Sequence, residues 1–386
     1  MSAAAGVALA LLPWVVLPAV VLWRLRNAKI LETYESAAPA VTPMVSIIVP
    51  ARNEARNIEP CLRSLLASTW PAFEVIVVDD HSTDGTGAIA RAIAGHDLRV
   101  RVIDNPDLPD SWFGKQWACH QGALAAHGPL LLFTDADTRH GPALLTRSMH
   151  AMTALGADLF SVGGRQVMET FWERLLQPHI FGLLLARFGN FERMNRSVNP
   201  YDKVANGQFM LVSRRAYDLT GGHAAVRSHV AEDLRMAQEW TRLGFSVKLL
   251  PGADSMTTRM YSGLAEIARG WGKNLYAAGR DTIPVGPVGQ TMLRVFFPAP
   301  ALWEIAPVVA MVAAIAGAAS PAVGAWGALA YGVTTLYWMV MHRAMRAPLW
   351  YALLHPVASV VMFGMLARAA WNGERVEWKG RVYRSA

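Results

Sequence analysis

Cysteine is nearly absent from this chain: Cys61 and Cys119 are the 2 cysteines among 386 residues. That is too few for a disulfide framework, and no paired cysteine–histidine spacing suggests zinc, so a reducing compartment is expected. Charge is sparse as well, at 17% of residues against 53% hydrophobic, and the mean hydropathy of +0.23 lies on the membrane side of ordinary globular usage. The sequence has no long basic run and no aromatic–basic repeat. Its net charge of +7 therefore fits an anionic bilayer surface and an anionic small substrate better than nucleic acid. No complete dinucleotide or phosphate-loop fingerprint is present. Asp84-Gly85-Thr86-Gly87 supplies only a G-x-G fragment, and nicotinamide binding gains little from it.

Long apolar runs, by contrast, are present at both ends. Met1 to Trp23 carries no charged side chain and is followed by Arg24, Arg26 and Lys29, which reads as a transmembrane helix over residues 1–24 with a basic cytoplasmic flank. A secretory signal peptide is the weaker reading, because there the basic residues precede the apolar run. A second apolar zone begins near Phe296, is uncharged from Ile305 to Met341 and resumes from Ala347 to Ala367. Cut at Ser320-Pro321, it predicts about three spans within 296–370, and a basic tail follows at 371–386. A cytoplasmic domain is expected at 43–285.

Within that domain short β-branched runs alternate with helical patterns. VSIIVP leads to a helix from about Ala55 to Leu66, FEVIVVDD to one from about Gly85 to Ala94, and RVRVID to one containing Ala118 to Ala125, after which PLLLFTDAD continues the series. Repeated strand–helix–strand units predict an α/β fold with a mostly parallel, Rossmann-like sheet, joined here to transmembrane helices. Such sheets bind ligands at the carboxyl ends of their strands, where the polar clusters of this chain fall.

Several clusters stand out, each with a plainer alternative. Pro50 to Glu54 ends the first strand, and Asp79 and Asp80 end the second, where carboxylates can accept from ribose or base groups. Asp79, Asp80 and Asp84 can equally make a turn and cap the next helix. Asp135-Ala136-Asp137 follows the apolar strand directly, and two carboxylates so spaced can hold a hard divalent cation; alone, the pattern is more often a solvated turn. Asp233, opening a helix that should stop at Gly244, is a general base or only a dipole partner. Lys115 stands among Trp112, Phe113 and Trp117, suited to a phosphate or to a lid, or else merely exposed. Arg269 and Trp271 offer a cation and an aromatic wall before the second apolar zone, which interfacial anchoring also explains. The stretch from Phe171 to Phe191 is expected to lie in the interface with Glu173, Arg174 and Arg187 facing out, a core helix being the alternative.

Taken together, SIIVPARNE, VIVVDDHSTDGT, FTDAD, NGQFMLVSRRAY and HVAEDLRMA resemble, in order and spacing, the family 2 glycosyltransferases with their nucleotide-diphospho-sugar transferase fold, called GT-A. SWFGKQWACHQGA and RMYSGLAEIARGWGKNLYAAG are similar to the membrane subgroup acting in carotenoid pathways, the 4,4'-diaponeurosporenoate glycosyltransferases. The resemblance implies inverting transfer from a UDP- or GDP-sugar; the expected donor is UDP-glucose, and the expected acceptor of the hexose is a lipid-like compound such as a carotenoid at the cell membrane. The resemblance also implies Asp80 and Glu54 on the nucleotide, Asp135 and Asp137 on the diphosphate and its Mg or Mn ion, and Asp233 as base; Pro50, Asp79 and Lys115 are further expected on the donor, and Trp112, Arg269 and Trp271 around the acceptor or as a donor lid. Processive polysaccharide synthases carry Arg immediately before their motif tryptophan, whereas Gly270 stands there in this chain. A polysaccharide synthase and a non-catalytic binding module of the same fold are the competing expectations.

Overall fold

The computed structural model describes residues 3–26, 28–282, 286–372, 375–378 and 381–384. Along the chain, α1 (Ala3–Leu25) precedes β1 (Val45–Ala51), α2 (Ile58–Leu66), β2 (Phe73–Asp79), α3 (Thr86–Ala94), β3 (Val100–Asp104), α4 (Gly114–Ala125), β4 (Leu130–Phe133), β5 (Thr138–His140), α5 (Leu144–Ala154), β6 (Leu159–Gly163) and β7 (Arg165–Gln166). Then come α6 (Phe171–Phe188), α7 (Phe191–Arg196), β8 (Met210–Ser213), α8 (Arg214–Thr220), α9 (Gly222–Ala225), α10 (Glu232–Arg242), β9 (Val247–Pro251) and β10 (Met256–Thr258). The helices α11 (Leu264–Thr282), α12 (Pro287–Phe296), α13 (Leu302–Ile315), α14 (Pro321–Ala344) and α15 (His355–Asn372) follow, and a short hairpin of β11 (Arg375–Trp378) and β12 (Arg381–Arg384) ends the described chain. The chain divides into two compact units, a sheet unit built mainly of Ala28–Val167 and Phe191–Met260 and a helical unit containing α1, α6 and α11 to α15.

The sheet unit holds a seven-stranded sheet in the order β3-β2-β1-β4-β8-β6-β9. β1 pairs in parallel with β2 and β4, β2 with β3, and only β8 runs against its neighbours. Alternate residues of a strand point to opposite faces, so a strand covered on both sides must be apolar throughout. Ile47, Val49, Val75, Val77 and Leu132 accordingly enter a core with α2, α3 and α5. Ile48, Ile76, Val78, Leu131 and Phe133 enter a second core with α4, α8 and α10. The near-continuous apolar runs are thus explained by two buried faces.

Close approach fixes one helix. A Cβ at Gly122 of α4 would lie 2.4 Å from Ile48 Cγ2 on β1, so any larger side chain must push α4 off the sheet. Gly122→Val is expected to cost about 1–3 kcal/mol through overpacking, seen as a lower unfolding midpoint of the detergent-solubilised protein.

In the helical unit, α1 leaves Leu9, Leu12, Val16, Leu17, Val20 and Trp23 exposed, as a lipid-facing surface requires. Among the described residues three helical stretches are long and apolar enough to cross a bilayer by length and composition: Ala4–Leu25, Val288–Ile315 and Leu349–Trp371. Between the last two, α14 lies antiparallel to α13, since Gly324 approaches Ala314 while Gly327 approaches Pro307 and Met311. Trp14 of α1 stacks on Trp303 at 3.8 Å and meets Trp326 edge-on at 5.0 Å. Glu304 is the one acidic side chain of α13, and it is well supplied with donors: Trp338 Nε1 at 3.0 Å, Ser359 Oγ at 2.9 Å and the His355 ring at 3.1 Å.

One expectation changes here. The stretch opening at Phe171 forms a single helix through Pro178 with Leu175, Leu176 and Ile180 fully buried, and Glu173 is buried instead of facing out. The reason is local: Thr170 and Glu173 form a capping box, in which the Glu173 carboxylate accepts from the Glu169 and Thr170 backbone N–H groups. A carboxylate spent on a helix N-terminus loses little by leaving water.

Candidate active site

The parallel pairing of β1, β2, β3 and β4 brings their carboxyl ends to one edge of the sheet, and the polar clusters collect there. The first two loops are laced together. Asn53 and His81 hold φ of 54° and 56°, a region that residues other than glycine occupy only when their surroundings enforce it. Here Asn53 N–H donates to Ser82 Oγ at 3.0 Å, Thr83 N–H to Asn53 Oδ1 at 2.9 Å, Glu54 N–H to Thr86 Oγ1 at 2.7 Å and Ala55 N–H to Asp84 Oδ2 at 2.9 Å. Burial works against the Asp84 charge, but the Thr86 hydroxyl and N–H, which donate to Asp84 Oδ1 at 2.5 and 3.1 Å, and the Ala55 N–H outweigh it and hold the carboxyl below its usual range.

Asp79 and Asp84 turn into their own loop. Asp79 Oδ1 accepts from Ser82 N–H at 3.2 Å, and a Cβ at Gly87 would sit 2.2 Å from Asp79 Oδ2, so only glycine lets that carboxylate lie against the start of α3. Asp80 is placed differently. It is 2% exposed, its Oδ1 accepts from Asn105 Nδ2 at 2.9 Å just beyond β3, and the Arg52 guanidinium stands 3.5 Å from its Oδ2. Pro50, opposite Val78 in the sheet, comes one residue before the end of β1.

The loop after β4 forms the second half of the site. Lys115 Nζ lies 2.8 Å from Asp135 Oδ1 and 2.9 Å from Glu232 Oε1, joining α4, the β4 loop and α10. A lysine in the first turn of a helix opposes the helix dipole. Burial opposes its charge too, yet Asp135 and Glu232 outweigh both and hold the ammonium well above its usual range. Lys115 is therefore an ion-pair partner of the acidic cluster rather than an exposed cation among aromatics. Lys115→Met leaves two close carboxylates uncompensated and is expected to lower stability by about 2 kcal/mol near pH 8. The loss should shrink at pH 5, which thermal unfolding at the two values would check.

Asp137 carries the strongest signal. Burial first, then the neighbouring charges of Asp135 and Glu54, push its carboxyl up to about 7. Burial raises Asp135 as well, against the pull of Lys115. Asp137 Oδ1 is buried and has no hydrogen-bond partner, which costs roughly 1–3 kcal/mol for a neutral acceptor and more for a charged one. An orphaned carboxylate oxygen among further carboxylates fits a divalent cation, and an all-oxygen donor set fits a hard one such as Mg or Mn. Among the described residues no group of three or more His, Cys, Asp and Glu side chains is arranged to hold a metal ion. A cation shared with phosphates commonly takes one or two protein carboxylates and completes its shell from the substrate.

Asp233 sits in the first turn of α10. Its Oδ2 accepts from Gly207 N–H at 2.8 Å and its Oδ1 from Leu234 N–H at 2.7 Å, so both oxygens are oriented. Burial and the adjacent Glu232 push its carboxyl up to about 6, with Lys115 and the two backbone N–H groups pulling back. A carboxylate of that strength, half-buried and held in place, can accept a proton near neutral pH.

Beneath this cluster His140 is buried, and burial followed by the Arg139 charge drops its ring to about 3, so it stays neutral. Trp112 meets Trp117 edge-on at 4.9 Å and lies 5.1 Å from the His120 ring, so it belongs to an aromatic group on α4. Arg269 and Trp271 lie on α11 in the helical unit, where Arg269 is exposed and Trp271 is buried against Phe181 at 5.4 Å. The site thus gathers Pro50, Glu54, Asp79, Asp80, Lys115, Asp135, Asp137 and Asp233 within the sheet unit. Sequence reasoning passed over Glu232, Gly207, Asn105 and Arg52. Glu232 and Gly207 stood inside recognised motifs, whereas nothing local marked Asn105.

Residues 46–220 match the family model described as glycosyl transferase family 2. Similar curated proteins include the 4,4'-diaponeurosporenoate glycosyltransferase of Staphylococcus haemolyticus strain JCSC1435, 28% identical over 63% of this chain and 64% of the relative. The protein of the same name from Staphylococcus aureus strain MRSA252 is 29% identical over 62% of this chain and 63% of the relative. The chain thus spans a little under two thirds of the length of these relatives. A solved mannosyltransferase from Pyrobaculum calidifontis, in complex with GDP-Man and Mn2+, shares the fold with a TM-score of 0.60 at 18% identity, covering 96% of this chain and 99% of that one. The sheet unit has the GT-A fold, and its residues 46–220 are similar to glycosyl transferase family 2.

Proposed function

We propose that the chain is a membrane glycosyltransferase that moves a hexose from a nucleotide-diphospho-sugar, with UDP-glucose as the expected donor, to a lipid-like acceptor such as a carotenoid. Transfer is a single in-line displacement that inverts the anomeric carbon. The observation that carries this reading is the meeting of Asp135, Asp137, Lys115, Glu232 and the doubly held Asp233 at one sheet edge. The names of the curated relatives support a carotenoid acid as acceptor.

In this reading Asp80 holds the nucleoside while Pro50, Glu54 and Asp79 shape the same pocket, and Arg52 and Asn105 brace Asp80. With a hydroxyl acceptor Asp233 takes the proton from the attacking oxygen as the sugar bond breaks, whereas a carboxylate acceptor has no proton to give up and Asp233 then serves mainly to orient it. A divalent cation, Mg or Mn, held by Asp135 and Asp137 would neutralise the charge growing on the leaving diphosphate. Lys115, paired with Asp135 and Glu232, lessens their repulsion of that diphosphate. Trp112 is assigned to the acceptor or to a lid over the donor. The sheet unit lies in the cytoplasm and the apolar helices in the cell membrane, so an apolar acceptor stays partly in lipid.

The test is transfer of radiolabelled sugar from UDP-glucose into the organic-extractable lipids of membranes carrying this protein, with and without EDTA. Metal-dependent label in lipid is the expected result, and the labelled product names the acceptor. Label in an insoluble polymer would replace the reading with a polysaccharide synthase. No label from a series of sugar nucleotides and lipid acceptors would overturn it in favour of a binding module.

A further inference from the structure

Behind the acidic cluster lies a buried network that the proposed chemistry does not use. Thr134, Thr138 and His140 are 1%, 0% and 8% exposed. His140 Nε2 stands 3.0 Å from Thr134 Oγ1 and 3.1 Å from Thr138 Oγ1, and the two hydroxyls are 3.1 Å apart. Each hydroxyl also has a backbone carbonyl at 2.7 Å: Thr134 Oγ1 donates to Gln208 O, and Thr138 Oγ1 to Asp135 O.

Hydrogen counting decides the direction of these bonds. A threonine hydroxyl carries one hydrogen and can accept through two lone pairs. Both hydrogens go to the carbonyls, which are the shorter contacts, so each hydroxyl meets the histidine only as an acceptor. The ring must then carry its single proton on Nε2. In the other tautomer Nε2 would itself demand a hydroxyl hydrogen, and Asp135 O or Gln208 O would lose its threonine partner.

The two carbonyls belong to the two halves of the site. Asp135 is the Lys115-bound carboxylate of the β4 loop, and Gln208 follows Gly207, whose N–H holds Asp233. On the sheet side the node is fixed by His140 N–H, which donates to Ser64 Oγ of α2 at 3.1 Å, and by the Phe209 ring 5.8 Å away. Gln208 Nε2 reaches Thr258 Oγ1 at 3.5 Å, and that hydroxyl donates to Asp137 O at 3.3 Å.

We infer that His140, as the Nε2–H tautomer, is a positioning residue: by donating to Thr134 and Thr138 it holds the Asp135–Asp137 loop and the Gly207–Gln208 turn in one arrangement, so that the two cation-holding carboxylates and Asp233 keep their mutual places. The inference rests on the proposed roles of Asp135, Asp137 and Asp233. His140 itself touches no substrate and moves no proton. Outer hydrogen-bond partners of cation-holding carboxylates commonly matter by 10–100-fold in affinity.

Two variants separate donation from bulk. His140→Gln can place an amide N–H near the Nε2 position, whereas His140→Leu fills similar space with no donor. Both would be purified as the full chain in detergent and titrated with MnCl2 alone by calorimetry, with thermal unfolding to show that each is folded. His140→Leu is expected to weaken Mn binding by about 10–100-fold and to lower kcat more than it changes KM for the sugar nucleotide, while His140→Gln stays within about threefold of the parent. Equal weakening in both variants, or none in either, would overturn the inference. The tautomer is read independently of any cation from 15N spectra of histidine-labelled protein, using His140→Gln to assign the signal. A ring protonated at Nδ1 would overturn the proposal by itself. Parent protein that shows the Nε2–H signal yet neither binds Mn nor transfers sugar would instead bring down the proposed function and leave the network standing.

Discussion

Asp137→Asn is expected to reduce sugar transfer by about 10³-fold or more, since it removes one of the two carboxylates proposed to hold the diphosphate's cation. The same change should stabilise the metal-free protein at alkaline pH. The folded carboxyl titrates at about 7, whereas an unfolded aspartate titrates near about 3.9. The native state therefore binds this proton more tightly than the unfolded chain, and the parent loses stability as pH rises from about 4 to about 7. That difference between the folded and unfolded carboxyl would be worth about 4 kcal/mol at most. Partial exposure and the neighbouring Asp135 reduce the expectation to about 2 kcal/mol. Asparagine never ionises, so the variant should melt higher than the parent at pH 8 in EDTA and close to it at pH 4. Added Mn should raise the parent's melting temperature and leave the variant's unchanged. For the same reason parent Mn affinity should climb about tenfold per pH unit below about 7, where cation and proton compete, and level off above. A variant as active as the parent, or no more stable than it at pH 8, would remove Asp137 from the cation site.

The second large effect belongs to Asp233. As the proposed base Asp233 must be ionised to act, so kcat for an alcohol acceptor should rise with pH through about 6, up to which burial and Glu232 push its carboxyl, and stay level above. Asp233→Asn keeps an acceptor oxygen for the Gly207 N–H but cannot take a proton. A fall in kcat of about 10²–10⁴-fold is expected, with KM for the sugar nucleotide within a few-fold and the limb near pH 6 gone. An acceptor that is itself a carboxylate needs no base, and with it the fall should be about tenfold or less. A variant that keeps both the alcohol rate and the limb near pH 6 would show that another group takes the proton.

Much of the fold was legible because local chemistry carries it. The run VSIIVP falls within Val45–Ala51 and FEVIVVDD covers Phe73–Asp79, since strands buried on both faces must be apolar throughout. Gly244, with φ of 85°, follows α10 where the stop was expected. The helix read from about Ala55 begins instead at Ile58, because Ala55 N–H is drawn to Asp84 and the residues before Ile58 are a turn. Glu173 was read as facing out, although Thr170-Phe171-Trp172-Glu173 has the S/T-x-x-E spacing of a capping box that buries it. Trp112 stood near Lys115 in the sequence, but their side chains part company. The tryptophan joins Trp117 and His120, and the lysine joins Asp135 and Glu232.

The sequence by itself determined the alternation of strand and helix, the apolar ends and the carboxylates that close β2 and β4, since each depends on neighbours along the chain. Tertiary structure alone decided what those carboxylates became. Asp79 and Asp84 were turned into their loop, and Asp80 was set against Asn105 and Arg52. Lys115 was drawn to Asp135 and Glu232, and Asp137 was left with a buried, unpartnered oxygen. The physical reason is that strand order and helix packing choose which distant side chains share a low-dielectric space. Burial and neighbouring charge in that space, not residue type, set which carboxylate can hold a cation and which can take a proton.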